Sequence, residues 1–220
     1  MASKKLTVAL LGATGETGLR TLEQLLHRGH CVRALVRSPH KINTKHDNLS
    51  VLKTDMYSDE SVKAELEGCN AVISCLGTRA NNKEPPLYLN TMQVIVKAMR
   101  EKEIKRIVTM TSWGTYSDPR SPFFVEYFMR KIIASILSSM REMELFLAGE
   151  CKDLDFTVVR PPGLTQGSLT GKTARVEEEA ACVPQGWCAT SMSMPRADVA
   201  KFMIECAEDS CYLKKAVAIL

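Results

Sequence analysis

The 220-residue chain has no apolar run approaching the ~18 residues that a membrane-spanning helix needs, and its start, MASKKLTVALL, holds only a short apolar stretch behind two lysines. This absence excludes a transmembrane helix and leaves no visible export signal, so a soluble, cytoplasmic protein is expected. None of the eight cysteines stands in CxxC spacing; Cys31, Cys69 and Cys75 flank or sit within apolar segments and read as reduced, mostly buried thiols, not as a disulfide framework. The four histidines, His27, His30, His40 and His46, fall across a helix end and a loop without carboxylates or cysteines at ligand spacing, so no metal site is expected. An excess of positive charge is also missing. The net charge is +4, and the densest basic group, Lys102, Lys105 and Arg106, is interrupted by Glu101 and Glu103, which reads as a solvated surface and not as a nucleic-acid patch. No repeat, linker or low-complexity tract divides the chain. With 45% hydrophobic residues it is long enough for one domain over 1–220 with a sizeable core, and a monomer is expected.

What is present concentrates near the start. Residues 6–18, LTVALLGATGETG, run from an apolar strand through three glycines spaced three apart into the helical pattern LRTLEQLLHR. A strand turning through glycines into a helix directs free backbone N–H groups and the positive end of the helix dipole at one spot, which suits a pyrophosphate. Gly12 permits the tight turn, Gly15 lets the main chain approach phosphates without a Cβ in the way, and Gly18 lets the helix lie close on the strand. The spacing is GxxGxxG where the common fingerprint is GxGxxG, so the assignment depends on context.

The context is an alternation of strands and helices. Strands are predicted at 6–11, 31–36, 50–53, 70–75, 106–111, 156–160 and 216–219, with helices at 17–28, 59–67, 90–102, within 123–149 and at 196–208. Parallel neighbours need crossovers and the crossovers are helices, so this rhythm predicts an α/β Rossmann fold: a doubly wound, mostly parallel sheet with helices on both faces. Turn-rich stretches at 112–122 and 161–172 follow the fifth and sixth strands and so fall at the carboxyl ends, where ligands bind in this architecture. Substrate-side loops are expected at about 78–90, 112–135 and 161–175.

A further absence selects the cofactor. An NAD site would place an Asp or Glu at the end of the second strand to accept from the ribose hydroxyls, but CVRALV ends in Arg37 followed by Ser38. A guanidinium there can fork onto a 2′-phosphate, so NADP(H) is preferred. Asp55, just past the third strand, could accept from the adenine amino group or cap the helix that begins near Ser58 or Asp59. Gly77 would let the backbone pass close to the ribose and phosphates.

Taken together, LLGATGETG, ALVRSPHK, ISCLGTR, VTMTSWG, FTVVRPPGLT with SLTGK, and RADVAKFM resemble the atypical short-chain dehydrogenase/reductases with an NmrA-like start, over about residues 5–208. Within that family the chain is most similar to the flavin- and biliverdin-reducing members. The resemblance implies direct hydride transfer from NADPH to a flavin, a linear tetrapyrrole or a related conjugated small molecule. It implies that Thr14, Gly15, Thr17 and Gly18, with Glu16 among them, hold the pyrophosphate, Arg37 the 2′-phosphate, and Asp55 and Met56 the adenine. Leu76, Gly77, Thr78 and Arg79 would line the ribose and pyrophosphate side. Ser112, preceded by Thr111, stands where the family has its active-site serine, and Pro161 and Pro162 would border the nicotinamide. The biliverdin-reducing relative has a histidine directly after the proline pair. This chain has Gly163 there, which weighs against a tetrapyrrole preference.

Other chemistry is written in the same segments. Ser112, Tyr127 and Lys131 stand in the order of the ordinary short-chain triad, with Tyr127 and Lys131 four apart on one helical face, where the lysine would lower the phenol pKa for proton donation to a carbonyl. Tyr127 could equally be a packing or lid residue in FFVEYFMRKIIASIL, since the family's helix before strand six aligns better with 139–151. Trp113 could stack on a substrate or pack under its loop. TGKT at 170–173 has the tail of a P-loop, but the glycine required at 166 is Gln166, which argues against nucleotide hydrolysis. Met92, Met99, Met140 and Met143 read as core fillers. The remaining alternative is a non-catalytic NADP(H)-sensing protein.

Overall fold

The computed structural model describes residues 5–77, 87–117, 133–183 and 193–220. Ten strands and five helices lie among them. The main sheet contains β1 (Thr7–Leu11), β2 (Cys31–Val36), β3 (Leu49–Lys53), β4 (Ala71–Ser74), β5 (Arg106–Met110), β6 (Asp155–Arg160), β8 (Val176–Glu178) and β10 (Lys215–Ile219), in the order β3-β2-β1-β4-β5-β6-β10-β8. Every pairing is parallel except that of β10 with β8. β7 (Gly163–Thr165) and β9 (Ser193–Pro195) form a separate parallel pair.

Both faces of the sheet are covered, which explains why its strands read as continuous apolar runs. Successive side chains of a strand point to opposite faces. Thus Val8 and Leu10 of β1 pack with α1 (Glu16–His27) and α5 (Arg196–Asp209), whose contributions include Leu22, Leu25, Phe202 and Met203. Ala9 and Leu11 face the other layer, built with α2 (Asp59–Glu65), α3 (Leu87–Glu101) and α4 (Ala134–Glu150). Met92, Met99, Met140 and Met143 lie buried in that second layer.

Two buried side chains seal the α5 side of the sheet. His30 accepts from the Leu6 amide at Nδ1 (3.1 Å), so its proton sits on Nε2 and points at Glu208 Oε1 (2.8 Å). The Arg106 guanidinium donates to the Cys206 and Cys211 carbonyls at the carboxyl end of α5 (2.6 and 3.1 Å), a favourable place for a cation.

The sheet departs from expectation at its edges. β7, β8 and β9 carry three residues each, too few for an alternating signal, so the loop expected over 161–175 contains a strand and the sheet gains an antiparallel edge. α3 begins at Leu87, inside the loop expected over 78–90, and α4 begins at Ala134, ahead of the helix aligned at 139–151.

Candidate functional site: a dinucleotide cradle at the switch point

Strand order reverses between β1 and β4, and the crevice at their carboxyl ends is where ligands bind in open α/β sheets. Gly12, the residue after β1, has φ +73°, and a Cβ there would lie 2.5 Å from the Cys75 carbonyl oxygen and 2.8 Å from the Leu76 nitrogen. The glycine therefore allows the turn and also lets the main chains leaving β1 and β4 touch. At Gly18 a Cβ would fall 2.1 Å from the Gly12 oxygen, so α1 rests directly on the turn. Gly15 donates to Gly12 O (2.9 Å) and caps α1 with no side-chain hydrogen bond. The amides of Glu16, Thr17 and Gly18 have no acceptor within the helix and sit at its positive end. This is a cradle for an anion made of main chain.

A cavity of about 170 Å³ opens in front of it. Of the residues singled out from sequence, Gly12, Thr14, Gly15, Arg37, Met56, Leu76 and Gly77 line it together. Thr17 is buried behind the cradle, where its carbonyl accepts from Thr21 Oγ1 (3.0 Å). Three polar side chains line the cavity without having been singled out as site residues: Ser38, Lys41 and Tyr57. Lys41 arrives because the turn Pro39–Lys41 folds RSPHK back over the end of β2, with Lys41 N on Ser38 O (3.2 Å). The Ser-Pro pair was the available signal. Beneath the cavity, burial pushes the Cys75 thiol up to about 11, which keeps it neutral and adds no negative charge beside an anion site.

Two acidic residues of the expected set are placed differently. Glu16 turns its carboxylate to Arg196 (2.9 Å) on α5, which directs its negative charge, repulsive to a pyrophosphate, onto a cation. Asp55 is exposed, is absent from the cavity lining and accepts from Tyr57 N (3.0 Å), while the cap of α2 is Ser58, accepting from Ser61 N (3.3 Å). Thr78, Arg79, Tyr127 and Lys131 lie outside the described residues.

The second rim is formed by the ends of β5 and β6, next along the sheet. Trp113 N donates to Pro161 O (2.9 Å) and joins the two chain ends. Ser112 is half-buried, and its carbonyl is held by Thr115 Oγ1 (2.7 Å) in a tight turn. Pro161 and Pro162 are buried, and Gly163 is exposed at the start of β7. Thr111 and Trp113 take structural positions. The Thr111 hydroxyl donates to the buried Glu144 Oε1 (2.7 Å) instead of facing the crevice. The Trp113 ring is 5% exposed and packs with Ala180, Cys182, Val183 and Ala218, so it offers no face to a substrate.

Sequence reasoning did not single out Glu144, nor Arg160 outside the VVRPPG segment. Arg160 Nε lies 3.3 and 3.2 Å from the two Glu144 oxygens, Nη2 donates to Oε2 as well, and Nη1 donates to Ala180 O (2.8 Å). The Tyr116 ring centroid lies 4.8 Å from the Arg160 guanidinium carbon, and burial followed by the Glu144 charge pushes the Tyr116 phenol up. TGKT has no phosphate-binding form: Thr170 N and Oγ1 are both held by the Asp198 carboxylate (2.9 Å each), and no helix follows.

A doubly wound sheet with an anion cradle at its switch point defines a nucleotide-binding protein of the Rossmann class. The chain belongs to the NAD(P)H-binding family, whose model matches residues 12–210. It is similar to cinnamoyl-CoA reductase 1 of Arabidopsis thaliana, with 28% identity over 124 residues, 51% of this chain and 36% of that protein. It spans between 34% and 65% of the length of the first curated relatives it matches. A structure from Streptococcus pneumoniae TIGR4, provisionally assigned as an NADH-flavin reductase, superposes with a TM-score of 0.76 over 98% of this chain and 99% of that one, at 21% identity. A short-chain dehydrogenase/reductase from Veillonella parvula, solved in complex with NADP, gives 0.76 over 98% and 94%, at 15% identity. The last two likenesses concern the fold. Among the described residues, no helix is long and apolar enough to cross a membrane.

Proposed function

We propose that the protein is an NADPH-dependent reductase that passes a hydride to a flavin, a biliverdin-like tetrapyrrole or a related conjugated small molecule, acting as a cytoplasmic monomer. The observation that carries the cofactor choice is the charge of the cavity: Arg37 and Lys41 both line it, with no carboxylate among the described lining residues. A carboxylate would have been needed to accept from free ribose hydroxyls, whereas two cations with Ser38 between them suit a 2′-phosphate.

The residues fit the cofactor because Gly12 and Gly18 let the turn, the end of β4 and the first turn of α1 close around one spot: a Cβ at Gly12 would overlap the Cys75 carbonyl oxygen (2.5 Å) and one at Gly18 the Gly12 oxygen (2.1 Å). On this reading the amides of Glu16, Thr17 and Gly18, with Thr14 and the close approach allowed at Gly15, hold the pyrophosphate, Arg37, Ser38 and Lys41 hold the 2′-phosphate, and Met56 and Tyr57 flank the adenine. Leu76 and Gly77 border the ribose. When bound, the nicotinamide supplies the hydride. The chain supplies orientation. Ser112 offers a hydroxyl at the β5 end, and the buried Pro161 and Pro162 wall off water on the β6 side. After the hydride has been transferred, the acceptor takes its one proton from water at the solvent-facing rim, so no strong protein acid is required. The names of the Streptococcus neighbour and of the plant relative support a reductase.

The test follows NADPH consumption with FMN, biliverdin, simple quinones and carbonyls in parallel. Turnover of FMN with NADPH favoured over NADH is expected. Tight NADPH binding without turnover on any acceptor would replace the reductase with an NADP(H) sensor. Tyr127→Phe separates the carbonyl chemistry: it should leave flavin reduction intact.

A further inference from the structure

We propose that Glu144 and Arg160 are positioning residues of the reducing site, a buried ion pair that sets the two strand ends carrying Ser112 and the proline pair. This rests on the reductase reading above.

The argument begins with what the pair does not supply. Its side chains are 3% and 7% exposed, and desolvating two charges to this degree offsets most of their attraction, so a buried pair is a poor source of stability. What it provides is geometry. Arg160 is the last residue of β6 and directly precedes Pro161; Thr111 directly precedes Ser112. Glu144, reaching in from α4, accepts from both, so one carboxylate measures the distance between the chains on either side of the reacting groups. Arg160 makes two further contacts. Nη1 fixes the Ala180 carbonyl, and Tyr116, four residues past Ser112, lies over the guanidinium. The Trp113–Pro161 backbone bond then clamps the same two ends from the main chain. The Ser112–Tyr116 turn is therefore tied at both its ends to one ion pair. A site that works by bringing a donor and an acceptor into contact is sensitive to displacements of this size, because a shift of about 1 Å lowers a rate by up to about a hundredfold.

The experiment uses the full chain with Glu144→Gln, Arg160→Lys and Thr111→Val, the last removing only the hydroxyl link in case the charge variants fail to fold. Three readouts are taken: kcat with FMN against NADPH affinity, the emission of bound NADPH, and amide hydrogen exchange over residues 112–116 in the ligand-free protein. For folded variants the expected result is kcat lowered about tenfold to a hundredfold with NADPH affinity unchanged, altered nicotinamide emission, and faster exchange confined to that turn. A purely structural role would lower thermal stability while leaving the kcat of the folded fraction, the emission and the exchange pattern as in the wild type, and that result overturns the proposal. If the wild type binds NADPH but reduces no acceptor, the reductase reading fails alone. Emission and exchange then still decide the positioning claim, for it if both change and against it if neither does.

Discussion

The two rims of the crevice are built from different materials. At the β1–β4 rim the functional groups are main-chain amides, and the constraints are absences of side chain: no Cβ at Gly12, none at Gly18. At the β5–β6 rim the strand ends that carry Ser112 and the proline pair are tied by side chains drawn from four places, Thr111, Glu144, Arg160 and Tyr116. The first rim is a fixed shape that any dinucleotide phosphate would meet; the second is an assembly that can be loosened one contact at a time. Binding and turnover should therefore fail separately.

The sharpest way to break this contrast is at Gly12. Gly12→Val forces a Cβ into the Cys75–Leu76 peptide and strains a left-handed residue, so NADPH binding should vanish in a fluorescence titration, with a loss of stability of about 3 kcal/mol or more in denaturant unfolding. Retained binding would show that the touching chains at the switch point are dispensable. Next in size, Arg37→Glu should weaken NADPH by about a hundredfold and NADH far less, because it replaces a charge-assisted contact with repulsion. Equal losses would remove the 2′-phosphate assignment. Lys41→Ala should follow in the same direction by about tenfold. On the other rim, Ser112→Ala should lower kcat about tenfold with NADPH affinity unchanged, whereas a parallel loss of affinity would merge the two rims into one.

The smallest effect serves as the control, away from both rims. Arg100 holds Asp153 bidentately (2.9 and 2.8 Å) and keeps its carboxyl down at about 2, below the ordinary 3.8. A lowered carboxyl stabilises the folded state above pH 3.8 and loses that contribution as pH falls through about 2. Both side chains are more than two-fifths exposed, so Asp153→Asn should lower stability by under about 1 kcal/mol near neutral pH, an effect that fades as pH falls through about 2, with kcat and affinity untouched. An effect on turnover would mean that the α3–α4 edge is coupled to the site.

The same contrast explains what could be read from the chain alone. Backbone demands are written locally: the glycines, the β-strand runs and Arg37 at the end of β2 all declare themselves within a few residues, and the cradle was legible for that reason. Lys41 was half legible, because the Ser-Pro turn that returns it to the cavity is visible but its direction is not. The directions of the Glu16 and Asp55 carboxylates were not legible because sequence proximity to a phosphate cradle does not say whether a carboxylate faces it; Arg196, 180 positions away, decides for Glu16. Which of its two readings holds for Trp113, and where the Thr111 hydroxyl points, could not be read for the same reason, their partners Val183 and Glu144 being fixed only by the packing of distant segments. The three-residue strands carry too few side chains to show a period.

One of those unforeseen strands has a consequence for the life of the molecule in a crowded solution. β10, Lys215–Ile219, is an apolar strand next to last in the sheet, and left uncovered its row of amides and carbonyls would be a template for a second chain. β8 covers it with Val-Glu-Glu, making that margin of the sheet short and charged, with Glu177 paired to Arg175 and Glu178 to Lys215 across the strands. Three residues of antiparallel strand thus serve as a guard against self-association.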